Sequence, residues 1–472
     1  MAKDFIVAIE LGSSKLTGMA GKKNPDGSIS ILAVAKEDSA SYIRKGVVYK
    51  IDRTAQGLNN IITKLKNTLQ TDITQVYVGI GGQSIRSEKN LIMKDLPADT
   101  IVSQEMVNEL MDANRNMVYS DYEIQDAITE EYKVDALYQT DPIGIQALHL
   151  EGNFLNILWR RSFYRNLNKS LDNAGIPVAE MYLAPLAMAD NVLTEAEKRA
   201  GCVLVDLGAE TTTVQVYYRD KLRSIAVLPL GSANITKDLE SLQMDEKEAE
   251  TMKLKYAVAV SDDNNDQEPK KYAIDSTRSI DSDLFDEVVE ARTLEIVENV
   301  KSLIPVEFTD KLPGGIVLTG GGSNMRNIDR VFRDTIGCEK VRIAKSVTFN
   351  INTRDSISGI ANDGTMNTIL SLIARGDMNC AGREYGDNLF DNEHVDAYNS
   401  NTITLTTDPT TASQTREAEE PVRHREPEQE PKKAEEPKEE PKEEKPHESA
   451  MGRIFKSLKK FGRSLVEPEI NE

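Results

Sequence analysis

Between two β-branched runs, Cys202 to Leu207 and Thr213 to Tyr218, the chain reads Val205-Asp206-Leu207-Gly208-Ala209-Glu210-Thr211-Thr212. The runs predict strands, and the turn that joins them carries an acidic residue two places before a glycine. Nearly two hundred residues earlier the same order occurs as Ile9-Glu10-Leu11-Gly12-Ser13-Ser14-Lys15, again closing an apolar run, Phe5 to Leu11. A third strand-to-turn junction, Val317-Leu318-Thr319-Gly320-Gly321-Gly322-Ser323, lies further on in the second half. Glycine permits close backbone approach, so such turns present N–H groups and hydroxyls to phosphate oxygens. Glu10 and Asp206 suit a magnesium hydration shell. Two similar half-domains facing a common cleft are expected. The chain has no Walker A sequence, and Gly79-Ile80-Gly81-Gly82-Gln83-Ser84 fails the dinucleotide fingerprint at its last glycine, so P-loop and Rossmann readings are disfavoured.

At 472 residues the chain is long enough for two or more domains. Its 57 lysines and arginines stand against 77 acidic residues, a net charge of -20, which argues against nucleic-acid binding through the overall surface. Cys202, Cys338 and Cys380 are far apart, so free thiols in a reducing compartment are expected rather than a disulfide framework. At the N-terminus, Asp4 and Glu10 interrupt a run too short for a signal-peptide core, and no stretch of about 18 apolar residues predicts a membrane span.

From Phe5 to about Cys380 the pattern is α/β. Further strands are predicted at Ile29 to Ala35, Gln75 to Ile80 and Ile316 to Thr319. Helices are predicted at Thr54 to Leu69, Phe163 to Ala174, Ser282 to Ile304 and Asn324 to Ile336. Beyond Tyr385 the chain turns polar, and Arg416 to Glu448 is a Glu, Lys, Arg and Pro run that cannot bury a core. It reads as an exposed linker, with a flexible-coil reach of roughly 35 Å for about 40 residues. The composition then reverses. Met451, Ile454, Phe455, Leu458, Phe461 and Leu465 recur on one helical face, with Arg453, Lys456, Lys459, Lys460 and Arg463 flanking it. An amphipathic helix with basic flanks suits an anionic membrane surface better than a docking groove, since each nearby Lys or Arg adds about 1 kcal/mol there.

The order acidic-x-Gly-Ser, Asp-x-Gly-x-x-Thr, Gly-Gly-Gly-Ser resembles the actin, Hsp70 and hexokinase superfamily, and within it the bacterial cell-division family FtsA. Val76 to Gln83, Ala174 to Ala187, Asp245 to Tyr256, Glu287 to Arg292 and Pro313 to Asn324 extend the match, as do the linker and terminal helix. The resemblance implies a two-lobed actin-like ATPase fold. Its first lobe would span 1–84 and 163–200 around an insert at 85–162, and its second lobe 201–234 and 305–385 around 235–304. A disordered linker at 386–448 and a membrane-targeting helix at 449–472 would follow. It also implies ATP and Mg2+ between the lobes, self-assembly into filaments, binding of the FtsZ C-terminal peptide within 235–304, contact with other division proteins, and residence at the cytoplasmic face of the septal membrane. Carried over by position, Gly12, Ser13, Ser14 and Lys15 would meet phosphate opposite Asp206, Gly208 and Thr211. Gly320, Gly321, Gly322 and Ser323 would border adenosine, Glu250 and Lys253 would lie near the nucleoside, and Glu10 with Asp206 would hold Mg2+ through water.

The chain departs from that pattern in two places. Glu10 stands where Asp is commoner, and Ala209-Glu210 where Gly-Gly is usual, so Glu210 is expected to bring negative charge close to the phosphates. No catalytic base is assigned, and a structural adaptor with weak or no ATPase activity is favoured over a soluble sugar kinase or exopolyphosphatase. Asp262, Asn264 and Asp266 resemble the start of a calcium loop, but Gln267 and Ala273 occupy the positions that need Gly and Glu, so a polar loop is expected. Histidines form no zinc-binding spacing.

Overall fold

The computed structural model describes residues 4–261, 271–353 and 360–384. The linker, the terminal helix with its membrane-facing residues, and the Asp262–Asp266 loop lie outside the described residues. The chain begins with the hairpin β1 (Ile6–Leu11) and β2 (Lys15–Lys23), extended by β3 (Ile29–Asp38). A small hairpin, β4 (Ile43–Arg44) and β5 (Val47–Val48), leads into α1 (Ile51–Leu69). That helix buries Leu58, Ile61, Ile62, Leu65 and Leu69 at helical spacing and stops at Gln70, which adopts left-handed φ of 53°. After β6 (Thr71–Ile73), β7 (Val76–Ile80) runs parallel to β1 and is buried throughout, as a strand covered on both faces must be.

The insert follows as β8 (Arg86–Asp95), α2 (Gln104–Arg115), β9 (Tyr122–Val134), β10 (Leu137–Gln139) and β11 (His149–Arg160). It has its own apolar core around Leu110, Leu150 and Phe154. Asn114 of α2 and Asn156 of β11, both fully buried, exchange amide hydrogen bonds of 2.7 and 2.9 Å, which fixes how the helix seats on the sheet. The chain then returns to the first lobe through α3 (Arg161–Ala174), β12 (Val178–Leu183), α4 (Ala184–Val192) and α5 (Glu195–Ala200).

The second lobe opens with β13 (Cys202–Leu207), β14 (Thr212–Tyr218) and β15 (Lys221–Leu228). A smaller unit with its own core comprises α6 (Ser232–Glu240), α7 (Glu246–Tyr256), β16 (Lys271–Ala273), β17 (Ser279–Asp281) and α8 (Ser282–Ser302). β18 (Gly315–Thr319), α9 (Ile328–Ile336) and β19 (Val341–Ile343) complete the lobe. The chain ends back on the first lobe with β20 (Ile351–Thr353), α10 (Asn367–Arg375) and β21 (Ala381–Glu384). Helix α9 starts four residues later than the periodicity predicts. Gly321–Asn324 winds into a 3-10 turn, and Asn327 at φ 62° breaks the continuity.

The first sheet has strand order β12-β7-β1-β2-β3-β20. The second, β10-β9-β11-β8-β15-β14-β13-β18-β19, contains both the insert and the second lobe. The insert belongs to the first half of the sequence, yet its sheet is bonded to the second half through Arg86 and Ala226. Lys221 donates to the carbonyls of Thr129 and Glu130 at 3.0 and 2.6 Å, and Arg223 pairs with the buried Glu130 at 3.2 Å. Cys202 and Cys380 are buried free thiols and Cys338 is partly exposed and free.

Candidate functional site

The two acidic-x-Gly turns are built alike. In β1–β2, Glu10 pairs with Thr17 and Leu11 with Leu16; in β13–β14, Asp206 pairs with Thr213 and Leu207 with Thr212. On its other side each acidic residue faces a parallel strand that runs into glycines: Glu10 sits opposite Gly79, ahead of Gly81-Gly82, and Asp206 opposite Thr319, ahead of Gly320-Gly321-Gly322. The lobes therefore carry duplicate strand-turn-strand units, each with one carboxylate at the strand end.

These carboxylates lie close enough to affect each other. Burial, together with the charge on Asp206, pushes the Glu10 carboxyl from 4.5 up to about 8, against a partial offset from Lys36. Burial alone lifts Asp206 to about 6. Lys36 lies in the same cross-strand row, since it pairs with Thr17, which pairs with Glu10. Its own pKa is lowered by burial and by Lys15, with Asp363 and Glu10 acting the other way. Two desolvated carboxylates with raised pKa values are poorly matched to each other and well matched to a divalent cation. Among the described residues there is no cluster of three or more metal-ligating side chains. The donor set therefore fits magnesium, which keeps most of its water and takes one or two carboxylates, better than zinc or calcium.

Around this pair the other predicted residues fall into three groups. Gly320 adopts φ of 81° and lies so close to the Asp206 carboxylate and the Leu207 carbonyl that a Cβ would collide with both. Ser323 is fully buried and donates to the Gly320 carbonyl at 2.7 Å, holding the Gly320–Ser323 turn closed. In the second group, the Ser232 and Ala233 N–H groups at the start of α6 donate to the carbonyls of Gly208 and Ala209 at 3.0 and 2.7 Å, while Gly208 donates to Thr211 at 2.9 Å. Lys253, only 7% exposed, donates to the Ser232 carbonyl at 3.1 Å and to Thr236 at 2.8 Å and pairs with Glu250 at 2.7 Å. A buried lysine thus joins the half-exposed Glu250 to the Gly208 turn. The third group is Gly12–Lys15: Gly12 accepts from the Ser39 hydroxyl at 2.6 Å, the Ser13 hydroxyl accepts from the Gly46 N–H at 2.7 Å, and Ser14 and Lys15 are exposed.

Glu210 has a partner that the sequence does not suggest. Its carboxylate accepts a 2.6 Å hydrogen bond from the Lys45 backbone N–H in the opposite lobe. Other residues of the site were missed in the sequence. The Gly81-Gly82 turn fails the dinucleotide fingerprint, yet the strand register makes it the first-lobe counterpart of Gly321-Gly322. Asn367, also missed, is buried and donates to Thr319 and to the Ala344 carbonyl at 2.9 Å, and the Asp363 carbonyl accepts from Asn324 at 2.8 Å. The repeat of acidic residue, strand and glycine pair was a signal available for the first of these.

Residues 203–362 match the family described as Cell division protein FtsA, and residues 82–158 match the SHS2 domain inserted in FTSA. A cell division protein FtsA of Porphyromonas gingivalis is 31% identical over 359 residues, covering 75% of this chain and 74% of the relative. The chain belongs to the FtsA family of cell division proteins. The FtsA of Neisseria meningitidis is 30% identical over 334 residues, 69% of this chain and 80% of that relative. Among solved structures, the PilM-PilN type IV pilus biogenesis complex covers 78% of this chain and 98% of the matched chain at 15% identity, with a TM-score of 0.52. That likeness bears on the fold, and the fold of this FtsA family member is actin-like. Among the described residues no helix is long and apolar enough to cross a membrane.

Proposed function

We propose that this FtsA family member binds ATP with Mg2+ between its lobes, assembles into filaments, and tethers FtsZ to the cytoplasmic membrane at the division site through its C-terminal helix. The observation that carries the nucleotide reading is the duplicate arrangement of Glu10 and Asp206, two partly buried carboxylates at glycine turns with raised pKa values. Glu10 and Asp206 would hold the ion through its waters. The Gly12–Lys15 and Gly208–Thr211 backbones would face phosphate, and Gly320–Ser323 with Glu250 and Lys253 would flank the nucleoside. Bound there, the ion neutralises polyphosphate charge. No residue is assigned as a base for hydrolysis, so the reading is of a ligand-dependent adaptor, in which a molecule contacting both lobes favours the arrangement it touches most.

Self-assembly is supported by the insert, where large apolar side chains stand in solvent: Met93 is 65% exposed, Leu137 67% and Ile101 60%. Membrane attachment is supported by the sequence from Met451 to Leu465, whose apolar face and basic flank suit a lipid surface. One such helix is a reversible anchor. Many helices carried by one filament bind together, so membrane residence reports assembly. The test is recruitment of fluorescent FtsZ to anionic liposomes by the full chain and by a chain ending at Ser449. Recruitment by the full chain alone is expected, and recruitment by neither chain would remove the tethering reading.

A further inference from the structure

We propose that the Glu210 carboxylate is a latch between the lobes, holding the Gly208–Thr211 turn of the second lobe to the β4–β5 turn of the first and, through it, to the root of the insert. The β4–β5 turn is a compact junction. Lys45 and Gly46 both adopt left-handed φ, 50° and 72°, so two successive N–H groups are turned outward in the manner that receives anionic oxygens. The Lys45 N–H donates to Glu210 Oε2 at 2.6 Å, and the Gly46 N–H donates to the Ser13 hydroxyl at 2.7 Å. One turn thus grips both acidic-x-Gly loops, one from each lobe. A charge-assisted bond to a carboxylate is about twice as strong as a neutral one, so the Glu210 end of this grip is the stronger.

The same turn is fixed to the start of the insert. Gly82, at φ 91°, packs so tightly on Gly46 that neither position admits a side chain, and the Gln83 N–H donates to the Lys45 carbonyl at 2.8 Å. Two residues on, the Ile85 carbonyl accepts from the Val227 N–H at 3.1 Å, and Trp159 at the end of the insert donates its ring N–H to the Gln83 carbonyl at 3.3 Å. The path from Glu210 through Lys45 and Gln83 to Ile85 is made of short backbone bonds with no solvent-exposed side chain as an intermediate. When Glu210 is in place, the turn, the insert root and the second-lobe edge strand are held as one unit. When it is released, the turn loses its direct bond to the second-lobe loop and stays tied to that lobe only through Gln83 and the Ile85–Val227 bond.

Amide hydrogen exchange of the full chain, read by mass spectrometry, tests this by comparing wild type with Glu210→Ala and Glu210→Gln. It uses protein without added nucleotide, so its outcome is independent of whether ATP binds. In Glu210→Ala, exchange at the Lys45 amide is expected to accelerate at least about tenfold, with faster exchange at residues 82–87 and 226–227. The core strands at Val203–Val205 and Ile316–Leu318 should remain unchanged. Glu210→Gln, whose amide oxygen still accepts, is expected to fall between. Unchanged exchange at Lys45 while the core strands stay protected would overturn the latch, and acceleration confined to Lys45 would overturn its coupling to the insert. Should Glu210→Ala lose its fold, Glu210→Gln decides by the same criterion.

Discussion

If Mg2+ and ATP bind as proposed, their binding should release a proton, and replacing Glu10 by Gln should abolish that release. With its carboxyl raised from 4.5 to about 8, Glu10 is protonated in roughly nine molecules of ten at pH 7, and ionising it costs about 1.4 kcal/mol there. A cation shared with Asp206 needs both carboxylates charged. Binding therefore expels close to one proton at pH 7, and apparent affinity rises up to about tenfold per pH unit between pH 6 and 8 before levelling off. Asp206, raised to about 6, adds to the slope only near and below that pH. Isothermal titration in two buffers of different ionisation enthalpy measures the release directly. Equal heats in the two buffers, together with an affinity flat from pH 6 to 8, would refute the reasoning.

The same shift fixes the sign of a stability effect. Between pH 4.5 and 8 the folded protein holds a proton on Glu10 that the unfolded chain has released, so stability without metal is full below about pH 4.5 and is lost as pH rises through about 8. Glu10→Gln carries no such proton. It should unfold at a higher urea concentration than wild type at pH 8 while binding Mg2+ and ATP more weakly, by an amount on the order of a few kcal/mol of stability at most. A variant that is both more stable and less competent separates a functional carboxylate from a structural one.

Three further outcomes are expected. Burial raises the Glu197 carboxyl, but two bonds from Arg342 at 2.7 and 2.8 Å and those from Thr194 outweigh it and bring the value to about 2. Its contribution is therefore present above about pH 4.5 and lost as pH falls toward 2, and acid titration of Glu197→Gln by circular dichroism should lack that step, worth roughly 2–3 kcal/mol. Gly320→Ala forces a side chain onto the Asp206 carboxylate at a left-handed φ, so ATP binding by calorimetry should fall by more than tenfold, with a loss of at least about 1 kcal/mol in stability. Leu458→Glu puts a charge among the apolar residues of the proposed terminal helix and should abolish cosedimentation with anionic liposomes, and unchanged cosedimentation would remove the proposed anchor.

Strands covered on both faces were legible because each opens on an unbroken apolar run and meets a polar residue only near its C-terminal end, at Glu10, Asp206 and Thr319: Ile6–Leu11, Cys202–Leu207 and Gly315–Thr319 stand within a residue of the predicted runs. Strand β2 was not. Lys15–Lys23 contains Gly18 and Gly21, which erase the alternation, and the reason is local packing: Ile61 and Leu65 of α1 occupy the space that a side chain at Gly18 would need. The acidic-x-Gly turns could be found because their residues are adjacent in sequence. Lys36, Asn367 and the Lys45 amide could not, since they reach the site through strand pairing and long-range hydrogen bonds that no local pattern records. Glu210 shows the same limit in reverse: its place in the turn is readable, but its partner lies in the other lobe.

How the lobes can move follows from the unequal strength of what joins them. At α5 and β19 the connection is a bidentate pair, the partly exposed Arg342 with the buried Glu197, and Arg342 also donates to the Val192 carbonyl at 2.9 Å. A bidentate, charge-assisted contact of this kind fixes orientation as well as distance, so it resists twist as well as separation. Within the insert β8 pairs with β11 over the whole stretch Arg86–Asp95, whereas β15 joins it through a short seam: the Arg86–Ala226 pair, the Val227 N–H to the Ile85 carbonyl, the Ile225 N–H to the Ser87 hydroxyl, and Lys221 and Arg223 reaching Thr129 and Glu130 of β9. Backbone pairing is additive along a ladder, so a lobe rotation that strains the insert opens the Arg86–Ala226 end long before it disturbs β11. The insert is thus a paddle joined to the second lobe by a short seam, and its exposed apolar residues Met93, Leu137 and Ile101 move with whatever turns that seam. Gln83 at the paddle's root is bonded to the turn that Glu210 grips, so the site where nucleotide would bind and the surface proposed for assembly share a mechanical element without sharing a residue.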